Sequence, residues 1–420
     1  VLWSQKQVSA DISFAAANAG ERSNTGAEYL AGKAVPLFAG LLLGAGLLGE
    51  AGAQTRPASP PRQGLRIEPS LTLVYDDNVY RVDADRTDPV YDMIVTPGVE
   101  ARFDRDIGPR AISLRALVAY DQFVSESERS KPRLEFEGSG RLLVAGQCNV
   151  RPLASYRQQR ADYGDINNAS ENLQRFSSLG IRADCERVAG LYPLAAYRRD
   201  TTRNGDGFDY ADHTSNVVRA GLGYARPSLG TFTAYYERVS SDRPELGIRN
   251  RSDAAGLSFE RSVSPLTSVS ADVRWMHVTS STEAIGSYDG PGWTLRLSTL
   301  AIPRVRLAAS TERTIVNDSL IATGFAVRTA HRVSADVGLS ELTSIGAFGE
   351  FVRRDFRQDA SIRPFNYTRD RTNQFGLLAR RKLTDDFAID LSVSRIQRST
   401  NSDISNYRAT RVALGAAMGF

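Results

Sequence analysis

The chain has 420 residues, 41% hydrophobic and 24% charged, with 52 basic against 48 acidic side chains. A mean hydropathy of −0.31 excludes a bundle of membrane helices, and the apolar content excludes disorder. Two cysteines and three histidines give no basis for a disulfide scaffold, a resident metal or a cofactor, and basic residues spread along the chain argue against a nucleic-acid partner.

Residues 1–53 read as an N-terminal extension followed by a signal peptide. Residues 34–49 form the one long apolar run, preceded by Lys33 and followed by Glu50-Ala51-Gly52-Ala53, so cleavage is expected after Ala53. The run is short for a spanning helix, which needs about 20 residues. Gly44, Gly46 and Gly49 spell G-x-G-x-x-G, but no strand precedes them and no βαβ unit follows, so no dinucleotide site is expected. Residues 54–66 are expected to be a periplasmic linker and 67–420 a transmembrane β-barrel.

From residue 67 the chain alternates with period two. Ile67, Leu71, Leu73 and Tyr75 interleave with Glu68, Ser70 and Thr72. The pattern returns at Val95-Pro97-Val99, Ile112-Leu114-Ala116-Val118, Val269-Ala271-Val273-Trp275, Phe387-Ile389-Leu391-Val393 and Val412-Leu414-Ala416-Met418. Such strands have one apolar and one polar face. The polar face carries full charges, among them Arg115, Glu135, Arg182, Asp272, Arg274, Arg296, Arg306, Glu350 and Asp390. Charges at that density cannot form a dry core but suit a watery lumen, while the lighter apolar face suits lipid.

Connections alternate long and short. Long ones are expected near 76–90, 124–133, 159–172, 199–212, 239–253, 280–292, 314–331, 354–371 and 396–406, short ones between them. That is the layout of an outer-membrane barrel with long extracellular loops and short periplasmic turns, here of about 16–18 strands. Aromatics are expected to form two girdles. Tyr75, Tyr91, Tyr120, Tyr156, Tyr236, Trp275, Trp293, Phe351 and Tyr407 mark the loop side, and Phe103, Phe232, Phe259, Phe387 and Phe420 the turn side.

Candidate pore-lining residues are Arg115, Arg182, Arg274, Arg296, Asp272 and Glu350. They read either as an anion-attracting wall or as cross-strand ion pairs that satisfy a crowded lumen, and both readings stay open. Tyr156, Tyr197 and Tyr235, with Tyr163 and Tyr288, are candidate sugar contacts. Asp76-Asp77-Asn78 offers oxygen ligands to a cation, but lacks a calcium loop's spacing and reads better as turn chemistry. His213, His277 and His331 fall near the outer ends of strands without a nucleophile elbow or a zinc-protease motif, so no catalytic residue is expected. Cys148 and Cys185 flank a hairpin centred near Ile166 and Asn167. Antiparallel pairing places them opposite each other, so a disulfide is expected in an oxidising periplasm.

Two stretches carry a resemblance. The closing Arg411-Val412-Ala413-Leu414-Gly415-Ala416-Ala417-Met418-Gly419-Phe420 resembles the C-terminal signal read by the barrel-insertion machinery, with Phe420 as its sorting residue. The segment Tyr75-Asp76-Asp77-Asn78-Val79-Tyr80-Arg81 is similar to the opening of a family of outer-membrane porins often found in exopolysaccharide loci. That resemblance implies passage of polysaccharide.

The expectation is thus an integral outer-membrane, all-β transmembrane barrel. It is an exopolysaccharide channel without enzymatic activity, in contact with outer-membrane lipid and lipopolysaccharide. Alternatives are a general diffusion porin, a closed structural or adhesive barrel and, last, an outer-membrane hydrolase. Oligomeric state is left open.

Overall fold

The computed structural model describes residues 63–419 apart from 145–147, 162–171, 186, 318–323, 358–367 and 402–405. The expected signal peptide, most of the linker, Tyr163 and Phe420 lie outside the described residues.

Eighteen antiparallel strands close into one barrel. They are β1 (Gly64–Asp76), β2 (Asp92–Ile107), β3 (Arg110–Phe123), β4 (Lys131–Val144), β5 (Cys148–Arg160) and β6 (Leu173–Asp184). There follow β7 (Gly190–Arg203), β8 (His213–Arg226), β9 (Gly230–Arg243), β10 (Ile248–Ser264), β11 (Thr267–Ser280) and β12 (Tyr288–Ile302). The last six are β13 (Val305–Val316), β14 (Phe325–Gly338), β15 (Thr343–Arg357), β16 (Arg369–Lys382), β17 (Phe387–Thr400) and β18 (Tyr407–Met418). Each strand pairs with its sequence neighbours, and β1 pairs with β18 to shut the sheet. Closure leaves no open edge, which is what allows strands to cross a bilayer.

Period two decides which way each side chain points. On β1, Thr72, Val74 and Asp76 are buried inside while Leu71 and Tyr75 are exposed outside. Leu257 at 66%, Val273 at 54% and Leu377 at 61% exposure face outward in mid-strand. Burying such side chains would normally favour folding, so their exposure marks a surface solvated by lipid. Inward positions carry Glu100, Arg115, Asp272, Arg274, Arg306 and Arg354, all buried.

Strands are longer than the sequence suggests, reaching 17 residues in β10, and β1 begins at Gly64 instead of 67. The loop expected over 239–253 shrinks to 244–247, because β9 runs to Arg243 and β10 starts at Ile248. The outward girdle contains Tyr75, Tyr91, Tyr120, Tyr236, Trp275 and Phe351, all exposed. Tyr407 departs from it: at 6% exposure it lies inside, packed with Ile396 and Ala409. On the turn side the rings of Phe232 and Phe259 meet at 4.7 Å.

Candidate functional site

The inner wall is built from charged clusters that span neighbouring strands. On β2 to β4, Arg115 sits among Glu100 (3.0 Å), Glu135 (3.2 Å) and Glu137 (3.6 Å), and Arg102 also binds Glu100. Across β8 to β11, Arg219 pairs with Glu237 at 2.6 Å and lies 4.2 Å over the ring of Tyr235. The Tyr235 hydroxyl donates to Asp272 at 2.7 Å, and Asp272 in turn pairs with Arg274 at 3.5 Å. Gly221 and Gly256 leave the space that Tyr235 fills. A Cβ on Gly256 would stand 2.7 Å from the ring, and one on Gly221 2.4 Å from the Ala234 carbonyl.

A recurring unit is one carboxylate held by two guanidiniums. Asp370 is gripped by Arg354 (2.5 Å) and Arg398 (2.8 Å), near the outer ends of β15 to β17. Asp184 lies 3.5 Å from both Arg151 and Arg182 near the turn end. Asp76 takes Arg81 (2.8 Å) and Arg411 (2.5 Å) at the outer mouth. Glu350 binds Arg332 at 2.8 Å and lies 3.8 Å from Arg328, which also pairs with Glu312. Arg296 faces inward on β12 and makes no hydrogen bond or ion pair among the described residues. Arginine suits this wall, since its planar fork joins two oxygens at once and it stays charged when crowded.

Of the candidate pore residues, Arg115, Arg182, Arg274, Arg296, Asp272 and Glu350 all project inward. The candidate sugar contacts divide. Tyr235 is inside, at 6% exposure. Tyr197 is 43% exposed on the lipid side, where its hydroxyl donates to Asn216. Tyr156 stands directly across from the outward Phe136, which places it on the lipid face too. Both corrections follow from strand parity. Tyr288 is buried in an apolar cluster with Ile248, Met276, Val278 and Ile285 at the loop end.

Asp76-Asp77-Asn78 forms a turn, with the Asn78 N–H donating to the Asp76 Oδ1 at 3.0 Å. Two guanidiniums on Asp76 occupy the oxygens that a cation would need. Tyr80 donates to Glu126, and that bond pushes its phenol up to about 12, with burial and the Glu126 charge adding. The Arg129 guanidinium stacks 4.3 Å from the Tyr80 ring. His213 lies 3.3 Å from the Thr202 hydroxyl, while His277 meets Asp289 at 2.6 Å on the exposed face.

Cys148 and Cys185 form a disulfide with Cα atoms 3.9 Å apart, closer than ordinary cross-strand neighbours. The adjoining ladder pairs Asn149 with Asp184, so the cysteines are directly opposite at the turn end.

Sequence reasoning missed Arg81, Arg411, Arg354, Asp370 and Arg398. Register arithmetic of the kind that pairs the cysteines finds one of these contacts. Arg354 and Asp370 are equidistant from the middle of the β15–β16 connection and are ladder partners.

No protein-family description matches the chain, and no curated protein does. Among solved structures it is similar to OccAB3 of Acinetobacter baumannii, at 10% identity and TM-score 0.45, covering 85% of this chain and 99% of that one. It is similar to OccK5 (OpdH) of Pseudomonas aeruginosa at 12% identity and TM-score 0.47, covering 85% and 98%. A BenF-like porin from Pseudomonas fluorescens Pf-5 matches at 8% identity and TM-score 0.47, covering 86% and 99%. At such identities, what lines this lumen is decided by this chain's own residues. A closed barrel of eighteen strands, apolar outside, charged inside and unequal at its two ends, is the architecture of an integral protein of a bacterial outer membrane.

Proposed function

We propose that the chain forms an aqueous channel for hydrophilic solutes across the outer membrane, with exopolysaccharide or its fragments as cargo. The observation that carries the channel reading is the inner wall, polar and charged on eighteen strands. A barrel of about that size is too wide for its wall side chains to fill. Solutes then move by exchanging hydrogen bonds with water, arginine and carboxylate along the wall. Polysaccharide as cargo is supported by the first-strand segment Tyr75 to Arg81 alone.

The wall favours anions. Arg296 carries that reading, an inward side chain with no hydrogen bond or ion pair among the described residues. Like charges around a low-dielectric passage focus the field and raise the local concentration of anionic solutes. Liposome swelling tests both parts. With purified protein in the bilayer, neutral disaccharides should enter, and a uronate should enter faster than an amino sugar of the same size. No swelling with any of these solutes would contradict the channel, and faster entry of the amino sugar would contradict the preference.

A further inference from the structure

The outward face of β15 to β17 carries charge that a channel does not use. Arg353 and Arg357 on β15, Arg369 and Arg371 on β16 and Arg395 on β17 are all exposed at the loop end of the barrel. They share lipid-facing parity with Phe351, Phe375, Leu377 and Val393. Arg353 stands directly across the ladder from Arg371. Two like charges in that position are unfavourable unless a counter-charge joins them. Asp355 is the one carboxylate on the outward face of these three strands, and Arg353 (3.0 Å) and Arg369 (2.7 Å) already share it. Arg357, Arg371 and Arg395 make no hydrogen bond or ion pair among the described residues.

The strip has an order along the membrane normal. Leu377, Leu391 and Val393 form its aliphatic part. Above them Phe351 and Phe375 meet edge to face with centroids 5.4 Å apart, at the level of an aromatic girdle. Arg395 stands directly across the ladder from Phe375, and Arg353, Arg357, Arg369 and Arg371 come next, with Asn373, Gln397 and Ser399 on the same face. On β9 and β10 the outward loop-end arginines come with acids: Arg238 and Arg251 lie 2.7 and 2.8 Å from Asp253, and Arg249 lies 3.7 Å from Asp242. On β1 to β3 the corresponding outward positions hold Leu73, Tyr75, Met93, Val95, Tyr120 and Gln122. What sets β15 to β17 apart from β9 and β10 is the balance, five arginines against one carboxylate instead of three against two.

Acyl chains against Leu377 and Val393 place their headgroups at the arginines. The long loops put this end in the outer leaflet. Headgroups facing five guanidiniums and one carboxylate must be anionic, and the guanidinium fork fits phosphate bidentately. Interleaved amides and a hydroxyl fit the sugar hydroxyls that flank such phosphates. We propose that this patch binds the phosphorylated sugar headgroup of lipopolysaccharide in the outer leaflet. It stands independently of what passes through the lumen.

The test uses the full chain in detergent micelles, titrated with lipid A carrying both phosphates, with the same lipid after phosphate removal, and with phosphatidylglycerol. Bound lipid is counted by native mass spectrometry. The unmodified protein should bind the bisphosphorylated lipid at least about tenfold more tightly than either other lipid. Combining Arg353→Gln, Arg371→Gln and Arg395→Gln should remove that margin, whereas the same three positions as lysine should keep most of it. Unchanged heat-modified mobility shows that a variant has folded, and the phosphate-removal arm needs no variant at all. Equal binding of phosphatidylglycerol or of the dephosphorylated lipid would overturn the proposal. So would full binding by the glutamine variant.

Discussion

Arg411 of β18 reaches Asp76 of β1 at 2.5 Å, across the seam where the barrel closes. That seam is the shortest-paired in its vicinity, with seven ladder positions between β1 and β18 against thirteen between β1 and β2. The segment that follows β1 adds to it. The Asp77 carboxylate accepts from the Thr410 N–H at 2.6 Å, Asn78 Nδ2 donates to the Arg408 carbonyl at 2.9 Å, and Arg81 lies 5.9 Å over the Tyr407 ring. Asp76→Ala should strand two buried guanidiniums and cost about 3–5 kcal/mol, whereas removing Asp76 and Arg411 together should cost less than the two singles summed. Denaturant unfolding in detergent checks both. Equal stability of the Asp76→Ala variant would show that the seam does not depend on the latch.

The disulfide makes a simple chemical prediction. Denatured, unreduced protein should contain no reactive thiol. Cys148→Ala should lower stability by about 3–4 kcal/mol through the freed loop between the cysteines. Thiol titration followed by unfolding of the variant measures each part, and two reactive thiols in the unreduced protein would contradict the bond.

Lipid solvation of the outer face is tested at Leu257, which is 66% exposed in the middle of β10. Leu257→Arg should destabilise the inserted barrel by about 2–4 kcal/mol, and Leu257→Val by far less. In a water-exposed position the arginine would be neutral. Refolding yield into liposomes separates the two outcomes.

The proposed anion preference of the wall is tested at Arg296, Arg354 and Arg398. Replacing Arg296 by Gln should shift the zero-current potential in a salt gradient towards cations, because no bonded carboxylate is left unpaired by the change. Arg354→Gln with Arg398→Gln should shift it further while destabilising the barrel, since Asp370 then loses both partners. An unmoved potential in every variant would mean that these charges lie outside the conducting path.

Much of this was legible because period two fixes parity. Once Leu71 and Tyr75 are outward, Thr72 and Asp76 must be inward, and the inward projection of Arg115, Asp272 and Arg274 follows. The cysteine pair follows from the same geometry, since antiparallel partners are equidistant from their loop. What was not legible lies where parity gives no signal. Ser240, Ser241 and Asp242 leave no apolar face beyond the bilayer, so a strand there reads as a loop. Tyr156 and Tyr197 were judged by residue type, although counting from Phe136 or Ile181 would have placed them outside. The roles of Arg81 and Arg411 needed the seam itself, because their shared carboxylate joins the first strand to the last.

The central claim is a water-filled passage through the barrel, and single-channel recording in planar bilayers tests it most directly. Purified protein added to one side should produce discrete current steps that scale with salt concentration and reverse at a potential favouring anions. Efficient insertion, shown by heat-modified mobility of the bilayer-bound protein, with no current steps at any salt concentration, would contradict it.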